Sequence, residues 1–167
     1  MASNLKNLSS YKKQDIPSAA KMRFGIVISE WNKDITEALL NGAVSALQEH
    51  GVKEKDIFIH HVPGSFELPL GAQFLIESVN IDSVLCLGCV IQGETRHFEF
   101  ICNAVSEGIM NTGLNYNTPV IFGLLTTNTL QQAKDRSGGK HGNKGVEAAV
   151  TAIKMVILKK ELFKKKT

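Results

Sequence analysis

Cysteine, proline and long apolar runs are all scarce in this chain. Three cysteines in 167 residues make no disulfide framework. No apolar run approaches the ~18 residues that a spanning helix needs. Residues 1–21 hold no hydrophobic segment of the signal-peptide kind and no arginine, which argues against a leader or transit peptide. On these absences the expected setting is soluble and cytoplasmic, with no membrane partner. Four prolines, 14 glycines and 43% apolar residues exclude disordered, collagen-like and coiled-coil readings. What remains is an ordinary globular composition, long enough to bury roughly 70% of its unfolded surface in one core.

The net charge of +3 divides unevenly. Residues 1–23 and 154–167 carry 11 Lys/Arg against 2 Asp/Glu, whereas the body, 24–153, carries 8 against 14. An acidic body with basic ends is poorly suited to nucleic acid. Within that body Lys134, Arg136, Lys140 and Lys144 crowd into eleven residues, a local density suited to a small anion.

Cys86 and Cys89 spell a CxxC, which raises a redox or metal reading. Both lie in Ser83–Ile91, an apolar run of strand type. Positions three apart on a strand face opposite sides, so the thiols are expected to be separate core residues.

Four apolar runs, Phe24–Ser29, Ile57–Val62, Ser83–Ile91 and Val120–Thr126, read as strands covered on both faces. Segments of helical period alternate with them: Asp34–His50, about Phe66–Ser78, about Thr95–Leu114, Thr129–Arg136, and Lys144 to about Phe163. Asn32 or Asp34 can cap the first helix, and Gly51 suits its left-handed end. This order predicts an α/β three-layer sandwich on a four-stranded parallel sheet. Residues 1–22, polar and unpatterned, are expected to form an N-terminal arm outside the core, and 23–167 a single domain.

In such sheets the ligand site lies beyond the carboxyl ends of the strands. The loop after the first strand holds Trp31, which is either a packing residue or a plate for a flat heterocycle. After the second comes Pro63-Gly-Ser-Phe-Glu-Leu-Pro69. A helix opening near Phe66 leaves the amides of Ser65, Phe66 and Glu67 free for a carbonyl-rich ring, and the Glu67 carboxylate can accept from ring N–H groups. Alternatively Glu67 only complements the helix terminus.

After the third strand, Gly88–Gly93 has the skeleton of a phosphate-binding loop, but Glu94 stands where such a loop needs lysine. A nucleoside-triphosphate reading therefore fails, while a glycine turn opening a helix can still hold one phosphate. His97 in the first helical turn can shuttle protons near neutral pH. After the fourth strand, Arg136 offers a planar fork for phosphate oxygens within a glycine-rich cationic segment.

These motifs, Pro-Gly-Ser-Phe-Glu-Leu-Pro, Gly-Glu-Thr-Arg-His-Phe-Glu, Phe-Gly-Leu-Leu-Thr and Gly-Asn-Lys-Gly-Val-Glu-Ala-Ala, occur in this order from Phe24 to about Met155. The segment they span resembles the lumazine synthase family of riboflavin biosynthesis. The resemblance implies a flavodoxin-like fold and condensation of 5-amino-6-(D-ribitylamino)uracil with 3,4-dihydroxy-2-butanone 4-phosphate, without metal or redox cofactor. It implies that Trp31 stacks on the pyrimidine, and that Ser65, Phe66, Glu67, Cys89, Val90 and Ile91 bind the aminouracil. Glu94, Thr95 and Arg136 would hold the phosphate substrate, and His97 would transfer protons. Phe122 would come from a neighbouring subunit, which implies a pentamer, an icosahedral shell of pentamers, and association with riboflavin synthase. Gln92, often basic in relatives, and His141 depart from the family pattern. The competing class is a binding module, since the same element order builds flavin carriers and receiver domains. A receiver needs clustered acids where Ser29 and Glu30 precede Trp31, and a carrier does not need the pairing of His97 with Arg136.

Overall fold

All four apolar runs form strands at the expected places. The computed structural model describes residues 13–164. In it β1 spans Phe24–Ser29, β2 Ile57–Val62, β3 Ser83–Ile91 and β4 Val120–Thr127. They pair in parallel in the order β2-β1-β3-β4. The helices are α1 (Lys33–Glu49), α2 (Leu68–Ser78), α3 (His97–Asn115), α4 (Leu130–Arg136) and α5 (Lys144–Lys164). One core cluster joins the sheet to α1 and α5, through Ile26, Ile28, Leu39, Leu47, Leu85 and Ile153. A second joins the opposite face to α2 and α3, through Val27, Leu68, Val84 and Val105. The fold is a flavodoxin-like α/β three-layer sandwich, as the element order predicts.

Burial follows strand order. β1 is buried at every position and β3 along its first seven residues. β2 differs from expectation: Ile59, His60 and His61 are exposed. Its sequence is apolar enough for a central strand, but it lies at the sheet edge, where the layers above and below end.

The start of α1 also differs. Asn32 holds the cap position at φ 57, ψ 49, its carbonyl accepting from the Ile35 and Thr36 amides, but its side chain makes no cap bond. The far end behaves as expected, with Gly51 at φ 92 stopping the helix.

Residues just before β1 are not outside the core. Ile16, Ala19 and Met22 are buried in the α1/α5 cluster, and the Ala19 amide donates to the His50 carbonyl at 2.8 Å. Three apolar side chains at a spacing of three are too few to stand out in a polar stretch. The remainder of the expected arm, residues 1–12, lies outside the described residues.

A short antiparallel hairpin, β5 (Ser137–Gly139) and β6 (Gly142–Asn143), interrupts the segment between α4 and α5. No described helix is long and apolar enough to cross a membrane.

Candidate functional site

A cleft of about 520 Å³ opens at the carboxyl ends of β1 and β3. The chain runs from β1 to one neighbour, β2, and later returns to the other, β3. Loops diverge at such a switch point and leave a crevice. Its walls include Trp31, Ser65, Phe66, Glu67, Cys89 and His97, so loops distant in sequence meet there.

Each wall has a local cause. Trp31 is 72% exposed, so its loop backbone, not packing, holds it. The Glu30 amide donates to the Val62 carbonyl at 2.9 Å. Asn32 Nδ2 donates to the Cys89 carbonyl, also at 2.9 Å. Ser65–Glu67 is a single 3₁₀ turn ahead of α2, whose opening Pro69 needs no amide partner. The Glu67 amide donates to the Gly64 carbonyl at 3.3 Å, so it is not free as the sequence suggests. Gly88 lets this turn sit against β3: a Cβ there would stand 2.9 Å from Ser65 Oγ and 2.7 Å from Leu124.

Cys86 packs with the α2/α3 cluster and Cys89 with the α1/α5 cluster, on opposite faces as alternation requires. Burial pushes the Cys89 thiol up to about 12 and raises Cys86 as well. Both stay protonated, which removes the redox reading. Val90 and Ile91 complete that wall.

His97 opens α3, exposed, with Ile101 one turn on beside it in the cleft. Its amide donates to Thr95 Oγ1 at 3.4 Å. The helix starts two residues later than Thr95, the expected start. Glu94 and Thr95 therefore belong to the exposed loop ahead of it and do not line the cleft.

Nor do Phe122 and Arg136 line it. Phe122 lies half-buried on the edge strand β4, against the α2/α3 cluster. Arg136 ends α4 and is nearly buried. Its Nη1 donates to Glu147 Oε1 at 2.8 Å and to the His141 carbonyl at 2.6 Å. Lys144 Nζ reaches the other Glu147 oxygen at 3.4 Å.

Within the glycine-rich segment around these cations, Asn143 and Gly145 join α5 to α1. Asn143 Oδ1 accepts from the Gly145 amide at 2.8 Å and the Val146 amide at 3.3 Å, capping α5. Its Nδ2 donates to the Ala38 carbonyl of α1 at 2.9 Å. A Cβ on Gly145 would stand 1.9 Å from the Leu39 carbonyl oxygen. Gly145 thus allows a close approach to α1, and Gly139 one to the end of α4, where a Cβ would stand 2.8 Å from the Lys134 carbonyl oxygen.

A model of the 6,7-dimethyl-8-ribityllumazine synthase family matches residues 21–160. A 6,7-dimethyl-8-ribityllumazine synthase of Cytophaga hutchinsonii is 59% identical, over 93% of this chain and 98% of its own. One from Parabacteroides distasonis is 54% identical over the same shares. One from Phocaeicola vulgatus is 51% identical over 98% of both chains. The chain belongs to the lumazine synthase family. It is an enzyme, a transferase of riboflavin biosynthesis that forms dimethylribityllumazine.

Within this lumazine synthase fold, sequence reasoning missed Asn32, Gly64 and Ile101 as lining residues. Ile101 had a signal, the i,i+4 spacing from His97. Gly64 sits inside a motif already singled out. Asn32 had only its place beside Trp31, where capping offered a simpler role.

Proposed function

We propose that the cleft between β1 and β3 is where 5-amino-6-(D-ribitylamino)uracil meets 3,4-dihydroxy-2-butanone 4-phosphate. The observation that carries this is the convergence of an exposed aromatic ring, a polar turn and an exposed imidazole on one crevice: Trp31, Ser65–Glu67 and His97. Trp31 stacks on the pyrimidine. Ser65, Phe66 and Glu67, facing Cys89, Val90 and Ile91, hold the ring and the ribityl chain. Glu94 and Thr95 lie next to His97 in sequence and take the phosphate substrate together with Arg136.

The 5-amino group attacks the ketone and water leaves to give an imine, phosphate is eliminated, and the ribitylamino nitrogen then adds to the remaining carbonyl, a second water leaving as the ring closes. Every step moves protons and none needs an external electron acceptor. Holding two reactive substrates together supplies much of the rate, and His97 adds ~10²-fold or more by proton transfer.

Arg136 and Phe122 do not line the cleft of their own chain. We infer that they complete the cleft of a neighbouring copy. Exposed apolar side chains support this: Phe66 in the cleft wall, Leu70 and Phe74 on α2 and Phe100 on α3 are each at least half exposed, and exposed apolar patches mark interaction surfaces. The assembly we infer is a pentamer at least, built further into an icosahedral shell. Association with riboflavin synthase and a cytoplasmic location complete the proposal.

Mixing both substrates with purified protein should produce lumazine absorbance and stoichiometric phosphate. Absence of turnover would remove the reaction from this cleft. A monomer in light scattering at micromolar concentration would remove the shared site.

A further inference from the structure

β1 pairs with β3 as far as Ile28 opposite Leu87, yet β3 continues to Ile91. Beyond Leu87 the β3 backbone has lost its ladder partner on that side. Buried carbonyls there need another donor. Asn32 provides one to Cys89, a residue 2% exposed. The side-chain amide thus acts as one more rung after the strand itself has ended.

The backbone of Asn32 fits this role. Its left-handed conformation is unfavourable for most side chains and best tolerated by Gly, Asn and Asp. Helix capping does not account for it, because the side chain makes no cap bond to α1. The amide is turned instead toward β3, 57 residues away in sequence.

Trp31 therefore sits between two tethers. On one side the Glu30 amide is bonded to β2 at Val62. On the other, Asn32 is bonded to β3 at Cys89. The ring lies close to Gly64 on the opposite lip, where a Cβ would stand 3.6 Å from Trp31 Cδ1. A ring this exposed has little packing to hold it, so its placement depends on the loop backbone that the two tethers fix.

We propose that Asn32 is a positioning residue: its bond to the Cys89 carbonyl fixes the Trp31 ring over the cleft and so sets affinity for the aminouracil. The inference rests on reading the cleft as the aminouracil site. Asn32 also lines the cleft, but its Nδ2 is engaged by the Cys89 carbonyl; loss of that bond acts through Trp31 and weakens binding of one substrate more than it slows the bond-making steps. Stacking needs the ring pre-placed; a mobile ring must be ordered at the moment of binding, which lowers affinity.

The test uses Asn32→Gly, which keeps the left-handed backbone and loses the amide, and Asn32→Asp, which keeps the shape but turns a carboxylate toward the carbonyl. Trp31→Ala is the control. Trp31 is the sole tryptophan, so its fluorescence anisotropy reports directly on the ring. Both Asn32 variants should add fast depolarisation and weaken aminouracil binding about tenfold, the scale of one hydrogen bond. KM for the butanone phosphate and kcat at saturation should stay within about twofold, as expected when only ground-state binding is lost. Unchanged aminouracil affinity in Asn32→Asp, with Trp31→Ala still losing affinity, would overturn the proposal, whatever happens to thermal stability. Trp31→Ala binding like the parent would overturn the reading of the cleft, and the proposal with it.

Discussion

Arg136 donates to the Glu147 carboxylate at 2.8 Å, and neither side chain lines the cleft that holds His97. The pair ties the end of α4 to the first turn of α5. Burial alone would raise the Glu147 carboxyl, but its bonds and charge contacts with Arg136 and Lys144 outweigh burial and hold it below the ordinary value. A guanidinium clamped in this way has its direction fixed by the Glu147 carboxylate and the His141 carbonyl.

Arg136→Ala should lower kcat/KM for the butanone phosphate about a hundredfold, equivalent to ~3 kcal/mol, and barely change aminouracil affinity. It should also lower thermal stability, because Glu147 keeps its burial and loses its nearest partner. Lysine at 136 should restore only part of the activity, since a point charge lacks the planar fork. Equal losses for both substrates would mean that Arg136 only supports its loop.

The Glu147 carboxyl gives stability a defined pH dependence. Its folded pKa is lowered from 4.5, so its contribution is complete above that value and disappears as the pH falls through the folded pKa. The stability difference between the parent and Glu147→Gln in urea melts should therefore shrink on acidification below pH 4.5. A difference that stays constant would show that the carboxylate charge is immaterial.

His97→Ala should cost less than ~0.5 kcal/mol of stability, because the side chain is exposed at a helix start. Single-turnover condensation should slow by ~10²-fold without vanishing, since the bound substrates react with each other unaided. An unchanged rate would remove His97 from the mechanism.

Gly145→Ala should destabilise the protein by more than about 3 kcal/mol, because the new methyl group meets the Leu39 carbonyl of α1. Gly93→Ala, with nothing within 4 Å of its Cβ position, should be nearly neutral in the same melts. Comparable losses at both glycines would refute the packing account of Gly145.

The strands were legible because each is a local run of apolar residues between polar breaks, and three of the four end where the sequence says. That Trp31, Ser65–Glu67, Cys89–Ile91 and His97 meet around one cleft was legible because parallel strands deliver every such loop to one end of the sheet. Arg136 was legible as a cation but not as a partner of Glu147, eleven residues on. The approach of Gly145 to α1 was not legible, because close backbone approach has the same sequence signature whether it admits a ligand or a helix.

By itself the sequence determined element types, their order, the parallel sheet and the end at which the site lies. These follow from periodicity and turn chemistry within a few residues. Only the tertiary structure decided that β2 is an exposed edge, that Ile16, Ala19 and Met22 join the core, and that the Asn32 side chain bonds across to Cys89 instead of capping α1. Strand order and the partner of a polar group depend on how the layers close, which brings together residues tens of positions apart.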